Sequence, residues 1–583
     1  MKKFVAIVDK SKCHPELCQH ECIKFDPINR SGGEGFHIGP SGKSEIAEEL
    51  VSEMHKVSAN KCPFQAITLA KLPERLDEDP IHKYANNAFE LYSLPIPKKG
   101  VVLGVIGRNG IGKTTALNIL SGNIRPNLSK YQDPPTSEFI LKKYAHTPIA
   151  NYFFELFQNQ ISIAYKPQRV ELIPKNMTGK VDAILNSQAK ELLKEIDAEH
   201  LLYRNIEELS GGELQKIAII STITKNVDII YLDEPSSFLD ITSRIKVAKL
   251  IRELREDKAI IVVDHDLAVI DYITDEIQIV YGVQAAYGIF SQSKSVKRGI
   301  NQYLGGFLTE ENVQFRPYSI KFDYSNLQRQ KGQLFLTFPS MYKTYGPFTM
   351  SINKGEIYKG EVLGIMGGNG LGKTTFVKIL AGEENPDNVE LPKLKVAYKK
   401  QYLSAIEGTV RQNLTRIAGS QLNSGWYKQN ILEKLGLIHV LDNEIETLSG
   451  GELQKFHIAL CLSEEADLYL FDEPTAFVDV EDRLNVAEVI KEFTVKREVA
   501  SIIVDHDVQF MDYISDALLI FEGNSGVRGE VRGPLNKEEG MNQLLRGLDI
   551  TYRTDQESKR ARINKPGSQL DKEQRANGKF YYR

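Results

Sequence analysis

Continuous apolar runs, not alternating ones, precede the polar loops of this chain. Val101–Ile106 and Val362–Met366 each run into a Gly-x-x-x-x-Gly-Lys-Thr segment, and a helix is expected after each. Val227–Leu232 and Asp467–Phe471 each run into Asp-Glu-Pro, and a further apolar strand precedes each Val-Asp-His-Asp. Runs of this length bounded by turn signals predict strands buried on both faces. The same order of parts occurs twice, so the predicted class is α/β with two P-loop units. No run reaches about 18 apolar residues, so no membrane-spanning helix is expected. The start, Met1-Lys2-Lys3 followed by Phe4–Val8, is too short in its apolar part for a signal peptide.

The chemistry sits where those runs end. Gly107, Asn109, Gly110, Gly112, Lys113, Thr114 and Thr115 form the first glycine loop, and Gly367, Asn369, Gly370, Gly372, Lys373, Thr374 and Thr375 the second. Glycine lets backbone N–H groups wrap phosphate at a helix N-terminus. Lys113 and Lys373 are expected on the β- and γ-phosphates of ATP, and Thr114 and Thr374 on Mg²⁺. Asp233 and Asp472 are expected to hold Mg²⁺ through water, and Glu234 and Glu473 to polarise the attacking water. Gln168 and Gln401 touch metal and water in this reading. His265 and His506, 32 and 34 residues past Asp233 and Asp472, face the γ-phosphate. Leu-Ser-Gly-Gly-Glu-Leu-Gln-Lys occurs at Leu209–Lys216 and again at Leu448–Lys455.

This order of parts resembles the ATP-binding-cassette superfamily. The resemblance implies that two cassettes stack head to tail, with each ATP between one glycine loop and the opposite signature. It pairs Lys113 with Ser449 and Gly451, and Lys373 with Ser210 and Gly212. It also places Asp240 and Asp479 at the seam.

The repeat is not perfect. Gly107 to Gln168 spans 61 residues and Gly367 to Gln401 spans 34, an excess of 27 in the first cassette. That predicts an inserted, exposed helix-loop-helix within 122–150, with a binding role. Gly-x-Asn-Gln-x-Leu recurs at Gly299–Leu304 and Gly540–Leu545, marking a related hinge element after each cassette. The chain has 583 residues, 42% hydrophobic and 26% charged, with net charge −4, which carries no global nucleic-acid signature. From Lys559 to Arg583, eight Lys/Arg stand against two Asp/Glu. That stretch reads either as a phosphate-backbone contact or as a solvated terminus.

Four of the five cysteines lie in the first 62 residues: Cys13, Cys18, Cys22 and Cys62, the last followed by Pro63. So few cysteines in so long a chain point to a reducing, cytoplasmic setting. Cys461, on the helix after the second signature, reads as a buried structural thiol. A distant Cys-Pro is a ferredoxin habit, in which the last cysteine of a run ligates the other cluster.

Over its full length the chain is then identified as a member of the class E cassette family, the RNase L inhibitor or ribosome-recycling ATPases. Asn-Gly-Ile-Gly-Lys in the first loop, Tyr281-Gly-Val283, Ala286-Tyr-Gly288 and Arg562–Lys565 carry the resemblance. It implies a small α+β ferredoxin-like domain with eight cysteines. Here Asp26, Ser52, His55 and Ser58 stand at four of the eight positions. By cross-ligation, Cys13, Cys18, Cys22 and Cys62 make one complete [4Fe-4S] site and the other four make none. Zn²⁺ on the four thiolates, or a domain without metal, are the alternatives.

The family also implies aromatic stacking on adenine by Tyr84 and Phe89 in the first cassette and by Phe338 and Phe348 in the second. It implies a cytoplasmic monomer that hydrolyses ATP to split 70S- or 80S-type ribosomes after termination, with a role at initiation. Its implied partners are the small ribosomal subunit, ribosomal RNA and proteins, and a termination or release factor. The expected divisions are 1–75 ferredoxin-like, 76–294 first cassette, 295–318 hinge, 319–528 second cassette, and 529–583 hinge and basic tail. The other readings are a translation factor of the other soluble twin-cassette class, a nuclease-inhibitor binding protein, and a cassette pair serving a membrane transporter.

Overall fold

The computed structural model describes residues 3–73, 79–322, 332–401 and 406–582. The expected division between residues 75 and 76 lies outside the described residues. Among the described residues no helix is long and apolar enough to cross a membrane.

Each cassette is built on one large, mostly parallel sheet. In the first, Val102–Ile106 lies between Glu276–Val283 and Ala259–Val263, followed outward by Ile229–Asp233 and Ile163–Lys166. In the second, Val362–Gly367 lies between Ala517–Asn524 and Ala500–Val504, followed by Leu468–Asp472 and Val396–Lys399. The central strands are buried at every position, which is why their sequences read as continuous apolar runs. Parallel register brings their carboxyl ends level: Val263 pairs with Asp233, and Lys166 with Leu232. All the polar motifs follow those ends, where open α/β sheets bind ligands.

The insertion of the first cassette forms two helices, Ser137–Lys143 and Pro148–Phe157. The second runs past the expected limit at residue 150, because Ile149, Tyr152 and Phe153 bury one face in the cassette core. Phe139 and Phe154 remain about half exposed.

The recurring Gly-x-Asn-Gln-x-Leu lies on two equivalent helices, Val296–Gly305 and Lys537–Gly547. A Cβ on Gly299 would lie 3.0 Å from Ile277, and one on Gly540 2.8 Å from Leu518. Glycine therefore lets each helix sit directly on a strand of its own cassette.

The basic stretch from Lys559 onward is folded, contrary to its reading as a solvated terminus. It contains the strand Ala561–Ile563 and the helix Gln569–Ala576. Arg560 and Arg562 are buried, and both donate to Asp271 of the first cassette, at 2.9 Å and 2.7–2.8 Å. Two of the eight basic side chains thus serve an internal ion pair, not a phosphate backbone.

At the other end, Phe4–Val8 pairs antiparallel with Ile67–Lys71. Phe4, Ala6 and Val8 face the small N-terminal core, while Val5 and Ile7 pack into the core of the first cassette with Tyr92 and Tyr287. This two-sided burial explains the apolar run that resembles a leader peptide. Asn87 adds polar ties, accepting from the backbone N–H of Val8 and of Ile46.

Candidate nucleotide sites and cysteine centre

Lys113 and Lys373 begin the helices Lys113–Leu120 and Lys373–Leu380, each after a glycine with φ near 95° that a Cβ would strain. Each ammonium is buried and donates to carbonyls of its own loop, Gly107 and Arg108 or Gly367 and Gly368. Burial lowers the pKa of both, that of Lys373 to about 8.

Thr114 Oγ1 donates to Asp233 Oδ2 at 2.8 Å, and Thr374 Oγ1 to Asp472 Oδ2 at 3.3 Å. Asp233 Oδ1 is buried and has no hydrogen-bond partner. A hydroxyl beside a carboxylate with a spare lone pair fits Mg²⁺ or a water on it. Burial and the adjacent Glu234 push Asp233 up to about 6.

The two glutamates are held alike. Gln168 Nε2 donates to Glu234 Oε1 at 2.6 Å, and Gln401 Nε2 to Glu473 Oε1 at 2.8 Å. His265 and His506 lie 3.5 and 3.6 Å from the same oxygens. Both glutamates have left-handed backbone, φ 50° and 48°, which costs a non-glycine residue about 1–2 kcal/mol. One donor differs. Ser237 Oγ reaches Glu234 Oε2 at 3.1 Å, and Ala476 stands at the equivalent place. Burial opposes ionisation of Glu234, but His265, Lys113 and Ser237 draw it down to about 2. Burial, with Asp472 adding, pushes Glu473 up to about 7.

Ser210 and Ser449 cap the helices Gly211–Ile223 and Gly450–Ser463, each closing a capping box with Glu213 or Glu452. The crosswise contacts come from their neighbours. The backbone N–H of Asn369 donates to Asp240 Oδ2 at 2.7 Å, and Asn109 Nδ2 to the carbonyl of Phe477 at 3.4 Å. Burial raises the pKa of Asp240, yet His506 and the Asn369 N–H hold it near 2. Asp479, also buried, is held low by the Asp482 N–H and by His265, Arg108 and Lys113 of the first cassette.

One expected adenine contact is wrong. Phe338 is fully buried and packs on Phe376, 5.8 Å between ring centroids, so it belongs to the sheet core. Tyr345 is the exposed aromatic nearest in position to Tyr84 of the first cassette. It is 42% exposed at the end of a hairpin, as Tyr84 is exposed in the first cassette, where its hydroxyl meets Thr115 Oγ1 at 3.1 Å. Phe89 and Phe348 are half-buried against Gly112 and Gly372. Comparing Lys83-Tyr84 with Lys343-Thr344-Tyr345 between the repeats was the signal available. Base stacking contributes about 1–3 kcal/mol. Tyr345→Ala is therefore expected to weaken ATP binding at that site about 5- to 150-fold in a fluorescent-nucleotide titration. Phe338→Ala is expected to cost about 3–5 kcal/mol of stability instead.

Residues 93–237 and 352–476 match the family model described as "ABC transporter", and residues 5–34 that described as "Possible Fer4-like domain in RNase L inhibitor, RLI". An uncharacterised ABC transporter ATP-binding protein of Methanocaldococcus jannaschii is 43% identical over 99% of this chain and 97% of its own length. Translation initiation factor RLI1 of Saccharomyces cerevisiae is 37% identical over 99% of this chain and 98% of its own. The chain belongs to the class E ATP-binding-cassette family, the RNase L inhibitor group. Its fold matches the ABCE1 structure described in a model of ribosome-bound archaeal Pelota and ABCE1, with TM-score 0.92 and 44% identity over 100% of this chain and 99% of that one.

In this class E chain the four cysteines line one pocket, with Phe64 and Ile67 among its apolar walls. Three sulfurs accept from a backbone N–H at 3.4 Å, of Ser44 for Cys13, of His20 for Cys18 and of Ala66 for Cys62, and Cys22 Sγ shares a hydrogen bond with the Ser44 hydroxyl at 3.4 Å. N–H groups aimed at sulfur are what a cluster-bound thiolate uses. Burial raises Cys13 and Cys22, so a cationic iron centre is the partner that would favour their thiolates. Among the described residues no group of three or more His, Cys, Asp or Glu side chains is spaced to hold a single metal ion.

Of Asp26, Ser52, His55 and Ser58, the first three make a polar cluster, while Ser58 Oγ and His55 Nε2 are buried without a hydrogen-bond partner among the described residues. The Ser52 N–H donates to His55 Nδ1 at 3.1 Å, leaving the proton on Nε2, 3.4 Å from Asp26 Oδ1. Asp26 also accepts from the N–H of Phe36 and of Ile28. Asp26, His55 and Ser58 are fully buried, and a Cβ on Gly35 would collide with Asp26. These donors do not fit an iron–sulfur cubane. Removing His55 leaves the Ser52 N–H without its acceptor, which costs about 1–3 kcal/mol where the group is buried. His55→Ala is expected to lower the thermal midpoint and speed amide exchange over 26–36 while leaving iron content unchanged.

Proposed function

We propose that this chain is an ATP-driven clamp that separates ribosomal subunits. The observation that carries this reading is the match over the whole chain to ABCE1 from a ribosome-bound assembly with Pelota. Likeness to archaeal ribosome recycling factor aABCE1, in a complex with ribosomal stalk protein aP1, adds support (44% identity, TM-score 0.83, 88% of this chain and 100% of that one).

In this reading one ATP lies between Lys113 and Ser449 and the other between Lys373 and Ser210. Asp240 and Asp479 sense closure from across the seam. Tyr84 and Tyr345 hold the bases. Glu234 and Glu473 polarise the attacking water, oriented by Gln168 and Gln401, with His265 and His506 at the γ-phosphate. Thr114 with Asp233, and Thr374 with Asp472, would hold Mg²⁺, which would supply charge neutralisation at the phosphates. Cys13, Cys18, Cys22 and Cys62 would hold one [4Fe-4S] cluster, which would cross-link the N-terminal domain. The domain divisions are read as 1–75, 76–294, 295–318, 319–528 and 529–583. ATP shifts such a clamp only through its higher affinity for the closed state, and the ligand shared by two cassettes supplies that difference.

The test is a sucrose-gradient assay of purified ribosomes with the protein, a cognate termination factor and ATP. The monosome peak is expected to fall into subunits with ATP, and to persist with Lys113→Ala/Lys373→Ala. Intact monosomes beside active ATP hydrolysis would overturn the ribosomal part of the reading.

A further inference from the structure

Two lysines outside the sequence motifs hold the backbone on which the hydrolytic glutamates stand. Lys166 ends the edge strand Ile163–Lys166 and is fully buried. Its Nζ donates to the carbonyl of Asp233 at 2.8 Å and to that of Glu234 at 3.2 Å. Lys399 ends the equivalent strand Val396–Lys399, 2% exposed, and donates to the carbonyls of Asp472 at 2.8 Å and Glu473 at 3.0 Å. The arrangement therefore occurs twice, in cassettes whose sequences differ around it.

These carbonyls need unusual partners. The chain leaves the sheet ladder at Asp233 and Asp472 and turns through the left-handed glutamate, so the two oxygens lose regular strand donors. A buried carbonyl without a donor is unfavourable. An ammonium on a four-carbon stem can reach two carbonyls that point the same way. A second donor comes from the signature helix. Gln215 Nε2 reaches the Glu234 carbonyl at 2.7 Å, and Gln454 Nε2 the Glu473 carbonyl at 3.0 Å. Two residues beyond each lysine, Gln168 or Gln401 binds the carboxylate of the same glutamate. One strand end thus grips each glutamate at both ends, backbone and side chain.

We propose that Lys166 and Lys399 are positioning residues for ATP hydrolysis, fixing the strained backbone so that Glu234 and Glu473 aim at the attacking water. Both ammonium groups are engaged by these carbonyls, so they act on hydrolysis through the glutamates. The lysine on the edge strand and the glutamine on the signature helix share one carbonyl, so movement of either element is passed to the glutamate. This inference rests on the ATPase reading given above.

The test uses the full chain carrying Lys166→Met/Lys399→Met, a change close in size that removes the donor. The kcat for ATP hydrolysis is expected to fall at least about 10-fold, with KM and nucleotide affinity within about 3-fold of wild type. Added to Glu234→Gln/Glu473→Gln, the same change is expected to lower the residual rate less than about 2-fold, because the lysines act through the glutamates. Should the methionine variant not fold, Gln215→Leu/Gln454→Leu removes the other donor and is expected to show the same split of kcat from KM. A wild-type kcat in either variant would overturn the inference, as would a loss carried undiminished into the Glu→Gln background. A wild-type chain that does not hydrolyse ATP would overturn the ATPase reading itself, so the two failures are distinguishable.

Discussion

Protein purified without oxygen is expected to carry about four iron and four acid-labile sulfide per chain, the content of a single cubane, and Cys62→Ser to lose most of both. Cys62 lies 40 residues beyond Cys22 in sequence yet lines the same pocket. It follows the helix Lys56–Lys61 directly, so as a ligand it would tie the end of that helix to the cysteine loop. Without it three thiols remain, and the pocket opens along the segment that leads back to the Ile67–Lys71 strand. Amide exchange across 62–71 should then rise with iron loss. About eight iron per chain would refute the ligand assignment, since it would require a cluster among Asp26, Ser52, His55 and Ser58. One zinc without sulfide would replace the cubane by a tetrahedral ion.

The second large effect is expected from Glu234→Gln/Glu473→Gln. General-base assistance contributes about 10²–10⁴-fold, and kcat should fall by that factor while ATP still binds. The amide is isosteric and keeps one oxygen for Gln168 or Gln401, so the loops stay in place. Loss of hydrolysis without loss of ATP leaves the closed state with no exit. The variant should therefore accumulate on small ribosomal subunits in the presence of ATP, measured by co-sedimentation. Free cycling at the wild-type rate would show that the attacking water is polarised elsewhere.

Much of the nucleotide chemistry was legible because its residues obey spacing rules. A glycine loop must follow a strand and open a helix, and Lys113 and Lys373 do both. Asp233 and Asp472 must end a strand adjacent to that loop, and parallel register puts them there. The burial of Phe338 in the second cassette was not legible in the same way. An aromatic in a strand reads alike whether it stacks on a base or on Phe376, and only burial separates Phe338 from Tyr345. Charge counting failed for the basic end for a related reason. Arg560 and Arg562 look solvent-facing until Asp271, 289 residues before Arg560, is placed beside them. The recurring Gly-x-Asn-Gln was visible as a pattern, but its cause, contact of Gly299 and Gly540 with a strand, is three-dimensional. Lys166 and Lys399 were passed over because a lysine beside a known glutamine carries no motif of its own. Their work is done on carbonyls, which leave no trace in side-chain spacing.

The strand Phe4–Val8 has a mechanical consequence. With alternate side chains keyed into the cysteine domain and into the first cassette, it is a splice between two bodies and not a tether. A load applied to the cysteine domain is delivered directly to the cassette sheet, with no slack to absorb it. Parting the two bodies means drawing Val5 and Ile7 out of the cassette core and breaking both Asn87 hydrogen bonds together, so the joint should resist as one unit.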